Sequence, residues 1–175
     1  QGQVWQSTQG GQSQIDWQSM YTAPQSLYGL SGSNDNNPRV WTVGANGLFQ
    51  QVFGPDEPPP TQQTSGFSTT FQDVAVVSNE IGWIVGDDGV LLNKTESGVT
   101  WDDERDELEH ADGNDPHDLH GIDFVGTDLA WIVGEGCSIF RTTDAGDNWT
   151  SEHLAAEFDS VGDSANWPLL SDVEF

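Results

Sequence analysis

Residues 128–152, Asp128-Leu-Ala-Trp131-Ile-Val-Gly134-Glu-Gly-Cys137-Ser-Ile-Phe-Arg-Thr142-Thr-Asp144-Ala-Gly146-Asp-Asn-Trp149-Thr-Ser-Glu152, decide how this chain is read. A short apolar run ends at a glycine turn, a second run ends at a Thr-Asp-Gly turn, and Trp149 opens a third. Gly and Asp at fixed places between runs of four to six residues are the signature of hairpins. Placing Gly86 under Gly134 brings a worn copy into register: Trp83 falls under Trp131 and Trp101 under Trp149. A third copy begins at Val40-Trp41-Thr-Val-Gly44-Ala-Asn-Gly47-Leu-Phe49. The spacing lies in the range of roughly 40–50 residues expected of propeller blades.

Each copy follows a short alternating run: Ser26–Leu30, Gln72–Val76 and Leu119–Phe124, with another at Leu170–Phe175. Alternation puts one apolar face on each, as a half-buried strand requires. A unit is therefore four strands, and the fold class is all-β: a β-propeller with about three complete blades, 26–65, 72–108 and 119–153. Residues 1–25 read as a partial blade and 154–175 as the start of the next. Propellers typically close with 4–8 blades, so the expectation is one propeller region of a larger ring, completed by further blades of the same chain or by self-association. The Pro-rich stretch 55–65 cannot sit in a central strand. The acidic stretch 102–118 reads as an inter-blade loop, with room for a helical turn near Glu104–His110.

Charge narrows the partners. Four Lys and Arg stand against 29 Asp and Glu, a formal charge of −25. Such a surface repels nucleic acid and anionic membranes, and no run is long enough to insert in a bilayer. Eight Trp and eight Phe argue for a packed core despite the charge. Salt reconciles the two: at about 1 M the Debye length is near 3 Å and self-repulsion becomes tolerable. The expectation is a haloadapted protein, extracellular or at the cell surface, with a cytoplasmic location left open. Cys137 is the one cysteine, so no intramolecular disulfide forms. Gln1 in place of Met and the lack of a signal-like leader are expected of a chain processed, cut from a longer one or partly built.

Thr142-x-Asp144-x-Gly146-x-x-Trp149 fits the Asp-box, Ser/Thr-x-Asp-x-Gly-x-x-Trp. Asp144 is suited to accept backbone N–H groups of the turn, Gly146 to take positive φ, and Trp149 to pack between blades. Lys94, Glu96, Gly98 and Trp101 hold the same places in the degenerate second copy; Ser7, Gln9 and Gly11 fit in the first partial unit, where Gln14 replaces the Trp. The whole pattern resembles the Asp-box (BNR-type) propellers, most of all the photosystem II stability/assembly factor-like group. That resemblance implies a secreted or periplasmic β-propeller acting as an assembly scaffold or protein-binding platform. Photosynthetic members use a basic patch, whereas this chain has only Arg39, Lys94, Arg105 and Arg141.

Asp-boxes also occur in sialidases, so a glycoside hydrolase or lyase propeller is the competing class. Sialidase-like chemistry needs three arginines, a Tyr–Glu pair and an Asp acid. Arg105 and Arg141 fall away from a central face, and only Tyr21 and Tyr28 are available. Converging carboxylates with one raised pKa in a central cleft would favour an enzyme; an axis lined by Gly and small residues would favour a scaffold. Asp112, Asp115, His117 and His120 are the densest set of potential metal ligands. His117 and His120 would suit one metal on a helix, but Pro116 points to a loop, and the bland reading is a solvated acidic segment. Hard oxygen ligands would favour Ca²⁺ or Mg²⁺ over Zn²⁺; no other cofactor is expected. Cys137 stands where the other copies have Gly47 and Gly89, a small turn residue with no His or Asn positioned by sequence to activate it. The reading is a non-catalytic scaffold or binding module offering a face to protein or glycan, with loops such as Asn34–Asn37, Asn79-Glu80 and Thr127-Asp128 as candidates.

Overall fold

The computed structural model describes residues 2–7, 17–33, 40–52, 61–63, 65–78, 81–94, 101–108, 117–152 and 169–175. It is a β-propeller arc. A hairpin, β1 (Gln3–Ser7) with β2 (Trp17–Thr22), precedes three four-stranded antiparallel sheets. The first holds β3 (Leu27–Gly32), β4 (Val40–Gly44), β5 (Leu48–Val52) and β6 (Thr61–Gln63). The second holds β7 (Phe71–Val76), β8 (Gly82–Gly86), β9 (Leu91–Lys94) and β10 (Asp102–Asp103). The third holds β11 (Leu119–Val125), β12 (Leu129–Gly134), β13 (Ile139–Thr142) and β14 (Thr150–Ser151). Each sheet runs in chain order, so every connection within a sheet joins neighbours. No helix of the described residues is long and apolar enough to cross a membrane.

The three middle hairpins are built alike. The Leu48 N–H bonds the Ala45 carbonyl, Val90 bonds Asp87 and Ser138 bonds Glu135, each across two residues in left-handed backbone. Those pairs are Asn46-Gly47, Asp88-Gly89 and Gly136-Cys137, the geometry of a type I′ turn that matches strand twist. Cys137 thus occupies a glycine-type position, at φ 57, and is buried. Burial pushes its thiol up, away from nucleophilic reactivity. Acidic residues near Glu104 form a 3-10 turn, Arg105–Glu107.

The core lies between sheets. One cluster joins Trp41, Val43 and Phe49 of the first sheet to Ile84 and Leu92 of the second. The other joins Trp83, Val85 and Leu91 of the second to Ile132 and Phe140 of the third. Each sheet therefore buries a trailing face under the leading face of the next, which is why period-2 alternation with apolar residues on both faces marks the middle strands.

Candidate functional site

Two places bring polar side chains together: the Asp-box at the outer half of the third blade, whose residues were singled out above, and the axis where the inner strands meet.

At the Asp-box, the buried Thr142 hydroxyl donates to Asp144 Oδ1 at 2.7 Å and accepts the Gly146 N–H at 2.9 Å. Asp144 Oδ1 accepts the Asn148 N–H at 3.0 Å, and Oδ2 the Asn148 amide at 2.8 Å. The Asn148 and Thr142 bonds hold the Asp144 carboxyl below the usual carboxylate range. Gly146 has φ +95, and a Cβ there would lie 2.2 Å from the Trp83 ring. Trp149 meets Trp83 edge-on at 5.6 Å, across the blade boundary. In the second copy Trp101 does the same to Trp41, at 6.0 Å, and to Phe49. Glu96 and Gly98 lie outside the described residues. The Thr127–Asp128 turn braces the box, since the Asp128 carbonyl accepts the Ala145 N–H. The Thr142 hydroxyl and the Asp144 carboxylate are thus spent within the turn.

The metal candidates come out differently. Asp112 and Asp115 lie outside the described residues, as do Asn34–Asn37 and Asn79-Glu80. His120 sits in strand β11, not a helix, so the spacing that would put it beside His117 on one helical face does not apply. His117 lies against Gly136 of its own blade's turn. Among the described residues, no three His, Cys, Asp or Glu side chains form a group able to hold a metal ion.

The axis holds what sequence reasoning missed. Inner strands β3, β7 and β11 and residues 170–175 surround a recess of about 320 Å³, lined by Leu30, Ser31, Asp73, Val74, Ala75, Ile122, Asp123 and Asp172–Phe175. Side chains here tie each inner strand to the next. Ser31 Oγ accepts the Val76 N–H at 3.0 Å. Asp73 accepts the Val74 N–H at 2.8 Å on Oδ1 and the Ile122 N–H at 3.0 Å on Oδ2. Asp123 repeats the arrangement one blade on, with the Phe124 and Phe175 N–H groups, both at 2.8 Å. Among the described residues, the inner strands are the edges of their sheets at the axis, and their edge N–H groups need such acceptors. Gly29 and Gly121 make the approach possible: a Cβ on either would come within about 3 Å of the backbone at Asp73 or Asp172. Burial pushes the Asp73 carboxyl up to about 6. The Ile122 and Val74 N–H groups oppose the shift, and the neighbouring Asp172 and Asp123 add to it. The signal in the sequence was weak: an acid on an otherwise apolar alternating run, at matched register in Asp73 and Asp172.

The basic residues form no patch among the described residues. Arg105 Nε pairs with Asp103 at 3.0 Å, Arg141 Nε with Glu152 at 2.9 Å, and Lys94 lies 4.8 Å over the Trp41 ring. None of these three lines the recess; Arg39 lies outside the described residues.

Against known proteins, the model of one family, described as photosynthesis system II assembly factor YCF48, matches residues 59–161, more than half of the sequence. The chain belongs to the YCF48 assembly factor family. Two solved structures of YCF48 share its fold: YCF48 bound to D1 peptide, with a TM-score of 0.58, 23% identity and 75% of this chain covered, and YCF48 from Cyanidioschyzon merolae, with a TM-score of 0.58, 23% identity and 79% covered. In both cases the match spans 42% of the solved chain. No curated protein matches the sequence. Identity at this level speaks for the propeller fold. For a YCF48-family blade set, the axial recess is a concave polar surface to which several blades contribute side chains.

Proposed function

We propose that this chain is a non-catalytic propeller region that binds a segment of another protein at the axial recess. The observation that carries the reading is the bonding of the recess carboxylates. Asp73 and Asp123 each spend both oxygens on backbone N–H groups, so they hold the inner strands in place and are not poised to exchange protons with a substrate. Family membership and the solved YCF48 bound to D1 peptide support a protein ligand; a glycan is the second ligand class. With a formal charge of −25, a cationic or neutral segment fits better than an acidic one. The same charge supports a haloadapted source.

Titration of the chain with the D1 peptide and with charge-altered peptides of equal length tests this, in salt sufficient to keep the chain folded. The expected result is saturable binding, strongest for the more cationic peptide and lost on Leu30→Asp, a change at the exposed rim. Absence of binding by every peptide would overturn it.

One observation favours an enzyme instead. The raised Asp73 carboxyl beside Asp123 and Asp172 is the arrangement that a carboxylate-dependent glycosidase or lyase would use. Gly29, Gly121, Ser31 and Ala75 at the same axis are the small residues of a scaffold. Release of chromophore from a panel of aryl glycosides, abolished by Asp123→Asn, would establish the enzymatic reading.

A further inference from the structure

The recess gathers negative charge, and its lining residues offer nothing to neutralise it. Asp73, Asp123, Asp172 and Glu174 all line it, and no Lys, Arg or His does. On one side β3 brings Leu30 and Ser31, which do not ionise; on the other, β11 and residues 170–175 bring only the remaining carboxylates. Within its own sheet, the register partner of Asp73 is the buried Val85 of β8.

Asp73 is set apart from the others by its place between two inner strands. A Cβ on Gly29 of β3 would lie 2.8 Å from the Asp73 Cα, and β11 donates the Ile122 N–H to Asp73 Oδ2 at 3.0 Å. Asp172 and Glu174, in contrast, are exposed. Like charges that share a desolvated site are relieved in two ways: one carboxyl takes a proton, or a cation arrives. Burial, with Asp172 and Asp123 adding to it, pushes the Asp73 carboxyl up to about 6. Its two N–H bonds leave room for that proton, since each carboxylate oxygen has a second lone pair. Among the described residues, no three acidic, His or Cys side chains form a group able to hold a metal ion. The counter-charge that suits this spacing is therefore an organic cation, a guanidinium or ammonium on a flexible side chain.

We propose that the recess is a proton-coupled site, in which a basic side chain of the bound protein segment and a proton on Asp73 replace one another. The inference rests on the binding role proposed above and adds its regulation. As the segment seats, the O–H bond of the Asp73 carboxyl breaks, the proton passes to solvent and not to the ligand, and the carboxylate faces the cation. The Val74 and Ile122 N–H groups favour that charged form. A basic ligand does so too, so it lowers the Asp73 pKa, and the segment binds more tightly above about pH 6 than below it. A lowering of about one unit corresponds to about tenfold in affinity.

Calorimetric titration of the 175-residue chain tests this, with an amidated arginine-containing peptide free of Asp, Glu and His. Two buffers of different ionisation enthalpy, at one KCl concentration, count the protons released. The expected result is release of a large part of one proton at about pH 5.5 and none at about pH 8, with affinity about tenfold weaker at the acid end. Asp73→Asn should bind without releasing a proton. Because that change removes an acceptor at the blade junction, the unaltered chain supplies a second reading. The Val74 and Ile122 amide resonances, whose protons Asp73 accepts, should titrate together, and saturating peptide should lower their common midpoint by about one pH unit. A midpoint that the peptide leaves unmoved, or equal proton release from Asp73→Asn, would overturn the coupling and leave peptide binding standing. Failure of every peptide to bind at any pH would sink the binding role and this inference together.

Discussion

Asp73 and Asp144 are the same residue type driven in opposite directions by their surroundings. Asp144 is exposed and accepts bonds from Asn148 and Thr142, which lower its pKa. Its contribution to stability is present above the unfolded value of 3.8 and is lost as pH falls through the lowered value. Asp73 is desolvated, with Asp172 and Asp123 nearby, and its carboxyl rises from 3.8 to about 6. The folded chain therefore holds that proton more tightly than the unfolded chain does. The associated stability is complete below 3.8 and is lost as pH rises through about 6, at most about 3 kcal/mol by linkage. Denaturant unfolding at fixed salt between pH 4 and 7 should show a downward slope that Asp73→Asn removes; an unchanged slope in the variant would refute the assignment. Thr142 makes a separate residue-scale prediction. Thr142→Val leaves the Gly146 N–H buried without its acceptor, and unfolding free energy should fall by about 1–3 kcal/mol. An unaltered midpoint would show that the box turn holds without the hydroxyl.

At the scale of the element, the Asp-box acts as a clip between blades. The turn geometry delivers Trp149 to Trp83 of the preceding blade and seats Gly146 against the same ring. Trp149→Ala should lower stability by about 2–3 kcal/mol, less than a fully buried indole because Trp149 is only half-buried. Trp149→Phe should cost about 1 kcal/mol or less, since it keeps the aromatic contact and the indole Nε1 has no hydrogen-bond partner to lose. Equal losses for the two variants would mean that the aromatic contact does not carry the clip.

For the whole molecule, electrostatics and packing pull against each other. Acidic residues outnumber basic ones by 29 to 4, while the apolar contacts lie in thin layers between blades. At the axis, Asp73, Asp123 and Asp172 line one recess, and the charges of Asp123 and Asp172 act on Asp73. The melting temperature should climb with KCl up to about 1 M, where the Debye length shrinks to about 3 Å. A melting temperature flat across that range would remove the haloadapted reading.

What the residues determined by themselves was local and periodic. Trp41, Trp83 and Trp131 share a register, Asn46-Gly47 and Asp88-Gly89 force tight hairpins, and Thr142 to Trp149 closes on itself; each is set by neighbours a few positions away, so the repeat and the blade were legible. The axial ties were not, because Asp73 meets Ile122, and Asp123 meets Phe175, across a whole blade of intervening chain. Nor was the burial of Trp41 and Trp83, each of which is covered by an indole of the following blade. Short-range sterics fix a strand and its turn; which carboxylate is desolvated and which indole is buried is decided only when blades stand side by side.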